Sequence, residues 1–161
     1  MTTILGIAAC ASNGVMGKAG LLPWHYPEDL VFFNEMIGDH PIIMGKKTFI
    51  NLPKKYFTKR KSIVFSKTAH KATEDLLWVT SLEEFSMLQL PKISYLIGGS
   101  EVFNLFLEQN LLKGFYITHI KNQYEGDTFF PLSKLKTWEC KTLRENKNLK
   151  ICYYKPHRKH L

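Results

Sequence analysis

Ile42-Ile43-Met44-Gly45-Lys46-Lys47-Thr48 passes from an apolar, β-branched run into helix-forming residues across one glycine, and Tyr95-Leu96-Ile97-Gly98-Gly99-Ser100-Glu101-Val102-Phe103 makes the same move across two. A strand that feeds a helix through glycine is the unit of a parallel sheet, because parallel neighbours need a crossover. Both junctions also suit an anion: glycine admits backbone close to a ligand, and the N–H groups opening a helix point at it. Lys46 and Lys47 add charge at the first junction, and Ser100 is placed to cap the helix at the second. Neither junction has the G-x-G-x-x-G or Walker spacing. Two such seats in one sheet favour a dinucleotide.

Outward from these junctions, strand-like runs recur at Thr3 to Cys10, Pro41 to Met44, Ser62 to Phe65, Leu77 to Val79, Ile93 to Ile97, Phe115 to Ile120 and Leu149 to Tyr154. Helical patterns intervene at Pro27 to Ile37, Lys46 to Leu52, Ser81 to Leu88 and Ser100 to Gln109, and Ser81-Leu82-Glu83-Glu84 has capping-box spacing. The alternation predicts one α/β domain: a mostly parallel twisted sheet of about eight strands with helices on both faces. After Phe115 the helical patterns stop, so the last strands are expected as an antiparallel edge hairpin. The domain spans residues 1–155, and 156–161 reads as a basic C-terminal tail.

The 161 residues, 45% hydrophobic and 13% aromatic, supply one sizeable core. No apolar run reaches membrane-spanning length, and Ile4 to Ala11 has no preceding positive charge of a signal peptide, so a cytoplasmic protein is expected. A net charge of +8 favours anionic partners. A basic nucleic-acid-binding module therefore stands as one alternative, although no zinc-finger, leucine-zipper or RNA-binding aromatic spacing supports it. Cys10, Cys140 and Cys152 are widely spaced, without metal-ligand spacing, and read as reduced packing residues. His119 alternates within a strand and is given no chemistry.

Asp29 stands out. Three, four, seven and eight residues beyond it lie Phe32, Phe33, Met36 and Ile37, so its carboxylate shares the apolar stripe of its helix. An acid in a first helical turn commonly serves the helix N-terminus. An ionised carboxylate facing a core otherwise needs a partner, and the donors of a ligand would supply one. Asn13-Gly14 and the glycine-containing run from Val15 to Gly20 form a long loop able to close over such a site.

Leu22-Pro23-Trp24, Pro27-Glu28-Asp29-Leu30 with Phe33, Ile43-Met44-Gly45-Lys46-Lys47-Thr48-Phe49, Ile97-Gly98-Gly99, Thr118-His119-Ile120 and Glu125-Gly126-Asp127-Thr128-Phe129-Phe130-Pro131, in this order, resemble dihydrofolate reductase of the bacterial type. The resemblance runs from Ile4 to Tyr154 and implies NADPH-dependent reduction of 7,8-dihydrofolate in one-carbon metabolism. It implies hydride transfer to C6, with N5 protonated through water. It assigns Asp29, Leu22 and Thr118 to catalysis, with Asp29 accepting from the pterin 2-amino group and N3. Ile7, Leu30, Phe33, Leu52 and Ile97 become the substrate's apolar walls, and Arg60 grips its glutamate α-carboxylate. Ala9, Met16, Gly17, Gly45, Thr48, Ile97, Gly98, Gly99, Ser100, Glu101, Val102 and Phe103 are implied cofactor contacts with Leu22, and Lys46, Lys47, Ser66 and Lys67 lie near the phosphates. Met16 to Leu22 would form the lid. The resemblance also implies a monomer, antifolate-type ligands, and no metal, nucleic acid or membrane.

Three residues depart from the family pattern. Phe103 replaces a frequent tyrosine, Glu101 stands where bacterial relatives often carry a basic residue, and Lys46 replaces a common arginine. The other alternative is a reductase of riboflavin synthesis with the same fold, for which Asp29 has no evident purpose.

Overall fold

The computed structural model describes residues 2–17, 22–58 and 60–157. Residues 18–21 of the expected lid and 158–161 of the expected tail lie outside the described residues. The strands are β1 (Thr3–Ala11), β2 (Val15–Gly17), β3 (Ile42–Gly45), β4 (Ser62–Phe65), β5 (Leu76–Val79), β6 (Ile93–Gly98), β7 (Leu112–Ile120), β8 (Thr128–Phe129), β9 (Glu139–Glu145) and β10 (Leu149–Lys155). The helices are α1 (Pro27–Ile37), α2 (Lys46–Asn51), α3 (Leu82–Ser86) and α4 (Ser100–Glu108).

Eight strands form one sheet in the order β5-β4-β3-β6-β1-β7-β10-β9, and β2 pairs β8 in a small second sheet. Pairing is parallel from β5 to β7, after which β10 runs antiparallel to β7 and β9 antiparallel to β10. The edge hairpin is thus β9–β10. Side chains alternate across the sheet, so each face carries its own core. Phe103, Phe106, Phe115 and Ile117 anchor the face under α3 and α4, while Phe32, Ile37, Met44 and Leu149 anchor the face under α1. No helix among the described residues is long and apolar enough to cross a membrane.

The structure corrects several local expectations. β2, β8 and β9 carry no period-two signal: β2 and β8 span only three and two residues, and every residue of β9 is exposed. The helix expected over Ser81 to Leu88 is shorter, with Ser81 as its N-cap accepting from the Glu84 N–H at 3.1 Å. Glu84 answers by accepting from the Thr80 N–H at 2.8 Å, one residue earlier than a capping box would place it. Ser100 does not cap α4. Gly99 occupies that position and Ser100 is the first helical residue, so its hydroxyl is one step too far along to reach back.

Candidate active site

The carboxyl ends of the parallel strands surround a cleft of about 1840 Å³, lined at those ends by Gly45, Ser66, Thr80 and Gly99. Ligands of α/β sheets gather at this end, where the strand order switches; here β6 is inserted between β3 and β1. A pocket for one small ligand is commonly about 300–1,000 Å³. This cleft has room for two side by side.

Asp29 reaches the cleft because Pro27 takes the first position of α1, where its missing N–H costs nothing. No side chain caps this helix at Tyr26, and the Asp29 side chain turns instead to the Thr118 hydroxyl on β7, which donates to it. Service to the helix dipole from the first turn persists, yet the carboxylate's bonded partner lies on the sheet. Burial pushes the Asp29 carboxyl above the usual carboxylate range, against the lowering effect of Thr118 and the nearby Trp24 indole. The Trp24 N–H makes no full hydrogen bond, so a buried donor on the cleft wall has no partner among the described residues. Such a donor is costly unless a ligand or water meets it.

The segment before α1 is held from across the molecule. Tyr26 Oη lies 3.0 Å from Tyr124 Oη and accepts from Asn122 Nδ2 at 3.1 Å, while the Trp24 and Tyr124 rings are 5.5 Å apart. Ile7, Leu30, Phe33, Leu52 and Ile97 flank Asp29 on the wall, with Met16, Gly17 and Leu22 at the mouth.

The other half of the cleft is built on glycine. Gly98 has φ +128°, a conformation open to glycine and rarely to other residues, and the Gly98–Gly99 peptide is cis. A Cβ on Gly45 would meet Val102 Cγ2 at 3.0 Å, so β3 and α4 approach this closely only through that glycine. Lys46, Lys47, Lys67, Ser66, Thr48 and Ser100 bring donors to this half, and Glu101 lines it as well. Ala9 and Val102 complete the expected lining residues found there.

Four expected site residues sit elsewhere. Thr118 is buried behind Asp29, whose carboxyl it holds down, and Gly98 lies beneath the wall formed by Gly99. Phe103 is wholly buried under Gly98, its ring 5.1 Å from that of Phe115 and 5.5 Å from that of Phe130. It belongs to the core beneath the cleft rather than to the wall, because its helical stripe faces the sheet. Arg60 is also off the wall: Nη1 donates to the Tyr56 carbonyl at 2.9 Å and Nη2 to the Gly38 carbonyl. Lys55 is the cation that lines the cleft at that end. Residue-by-residue reading missed Trp24, Lys55, Tyr56 and Asp127 to Phe129 as wall residues. The polar turn ahead of β8 gave a signal for the last group, but only the β2–β8 pairing brings it to the mouth.

The dihydrofolate reductase family model matches residues 3–156. The dihydrofolate reductase of Haemophilus influenzae is 35% identical over 134 residues, covering 83% of this chain and 81% of that one. That of Buchnera aphidicola is 35% identical over 147 residues, covering 89% and 88%. A solved structure of dihydrofolate reductase from Enterococcus faecalis, complexed with NADP(H) and RAB-propyl, superposes with a TM-score of 0.79 at 28% identity over 95% of each chain. Matched by the family model over residues 3–156 and by relatives at 35% identity over most of both chains, this chain belongs to the dihydrofolate reductase family.

Proposed function

We propose that the chain reduces 7,8-dihydrofolate to 5,6,7,8-tetrahydrofolate with NADPH as reductant, in support of one-carbon metabolism. The observation that carries this reading is the Asp29 carboxylate, bonded to Thr118 and set among apolar residues on the wall of a cleft with room for two ligands. A pterin offers two adjacent N–H donors, the 2-amino group and N3, which match the two oxygens of one carboxylate. Thr118 fixes the carboxylate's rotamer, so the ring is oriented before reaction.

The glycine-built half fits NADPH by its donor set and by its close backbone approach. Lys46, Lys47, Lys67 and Ser66 offer charge and hydrogen bonds to phosphates, and Gly99 and Ser100 open α4 toward the same space. Glu101 works against an anion there, and the surrounding lysines offset it. Bound NADPH supplies the hydride taken up at C6. Asp29 stabilises the positive charge that grows as N5 is protonated, and water carries that proton because the carboxylate holds the opposite edge of the ring. Leu22, with Met16 and Gly17 at the mouth, screens the reacting rings from solvent. The test is oxidation of NADPH by purified protein with dihydrofolate; a rate no higher than background overturns the assignment.

We assign the substrate's glutamate α-carboxylate to Arg60, which sits off the wall, with Lys55 the cation lining that end of the cleft. Two of the guanidinium nitrogens are occupied by backbone carbonyls, and the buried Nε has no partner among the described residues. Arg60→Ala is expected to raise KM for dihydrofolate about tenfold or more, the worth of a charge-assisted hydrogen bond, with the Kd for NADPH unchanged. An unchanged KM moves the carboxylate to Lys55.

A further inference from the structure

The three cysteines occupy one face of the main sheet but differ in access. Cys10 pairs with His119, Ile117 with Cys152 and Tyr154 with Cys140, and residues two apart on a strand share a face. Cys10 and Cys152 are buried, whereas Cys140 is exposed and so is not the packing residue its context suggests. Burial pushes the Cys10 thiol up to about 12, and no second cysteine neighbours it on the ladder.

Cys140 and Cys152 are diagonal neighbours across the β9–β10 ladder, since Cys140 lies opposite Tyr154 and Cys152 opposite Thr142. Burial, and then the neighbouring Cys140 thiol, push the Cys152 thiol up, and Thr142 Oγ1 lies 4.0 Å from Cys152 Sγ. Diagonal Cα atoms in a flat ladder are about 7–8 Å apart, slightly beyond the roughly 4.4–6.8 Å of a disulfide. The bulge at Ile151/Cys152 and the sheet twist both act on that diagonal, and β9 is an edge strand with one neighbour to hold it, so a small shift of β9 closes the gap.

We propose that Cys140 and Cys152 form a reversible dithiol–disulfide pair, oxidised by a small disulfide that reaches the exposed Cys140. The Cys140 thiolate attacks one sulfur of that disulfide, forming a mixed disulfide and releasing the first small thiolate. Cys152 then gives its proton to the released thiolate and attacks the Cys140 sulfur, expelling the second thiolate. Two protein thiols are oxidised, and one small disulfide is reduced to two thiols.

The experiment treats the reduced full chain with oxidised glutathione, blocks remaining thiols and maps peptides by mass. The expected product has lost two hydrogens, carries a Cys140–Cys152 link, leaves Cys10 free and reverts with dithiothreitol. Cys152→Ser is expected to stop at a stable mixed disulfide on Cys140, and Cys140→Ser to leave its remaining thiols reduced. A wild-type mixed disulfide on Cys140 that does not resolve overturns the proposal. So does unmodified Cys140, or a link involving Cys10.

Discussion

Asp29→Asn is expected to lower kcat roughly 10²–10³-fold while leaving the Kd for NADPH within about twofold. The amide keeps the shape of the side chain and can still accept from Thr118, but it removes the charge that stabilises protonation of N5. It also puts an NH₂ group against one of the ring's donors. Full activity in the Asp29→Asn variant would mean that Asp29 only orients the ring, or does nothing. The same variant carries an expectation of opposite sign for stability. Burial raises the folded-state pKa of Asp29 above its unfolded value, so the folded protein binds that proton more tightly than the unfolded chain does. The contribution to stability is fully present below the unfolded pKa and lost as pH rises through the folded pKa. At neutral pH the ionised group is therefore a net cost, and the ligand-free variant is expected to melt above wild type. That gap closes as pH falls through the carboxylate range. A variant that melts below wild type at pH 7 would show that Thr118 and Trp24 more than offset the burial.

Gly98→Ala is expected to lower Tm and weaken NADPH binding together. A Cβ at this position would meet Phe103 at 3.5 and 3.6 Å and Thr48 Oγ1 at 3.7 Å, ordinary contact distances, so space is available. The penalty lies in the backbone: φ +128° is a conformation that alanine rarely adopts. Holding it costs about 1–3 kcal/mol, or roughly 2–12 °C in Tm for a domain of this size. Relaxing it moves Gly99 and the start of α4, where the donors for the cofactor converge, and an affinity loss of about tenfold or more follows. Calorimetry of the free protein and titration with NADPH read the two effects separately. Wild-type Tm and Kd together would show that the backbone has a second, equally good path through this junction.

Much of the architecture was legible because its signals are local. Pro27 and the apolar stripe through Ile37 delimit α1 at the residues observed, and β4 at Ser62 to Phe65 is a short β-branched run between polar flanks. β9 was illegible for a physical reason: with both faces wet, nothing selects for alternation, and only pairing with β10 makes it a strand. The site divides in the same way. Glycine junctions announce their backbone conformation, and Asp29 announces its misfit with the stripe. The Asp29–Thr118 bond joins α1 to β7 from distant parts of the sequence, and the open Trp24 N–H depends on packing by Tyr124. Periodicity placed Phe103 on a buried stripe, but whether that stripe faces ligand or core depends on Phe115 and Phe130 arriving from other elements.

Of the chain's three tryptophans, Trp24 alone lines the main cleft; Trp78 lies in the aromatic packing of Phe49 and His70, and Trp138 packs against the core under α4. Its indole is held by Tyr124, and its buried N–H sits close to Asp29. The fold therefore carries its own optical reporter. Light emitted by Trp24 responds to filling of the cleft, and replacing Trp78 and Trp138 with phenylalanine would isolate that signal without an added label.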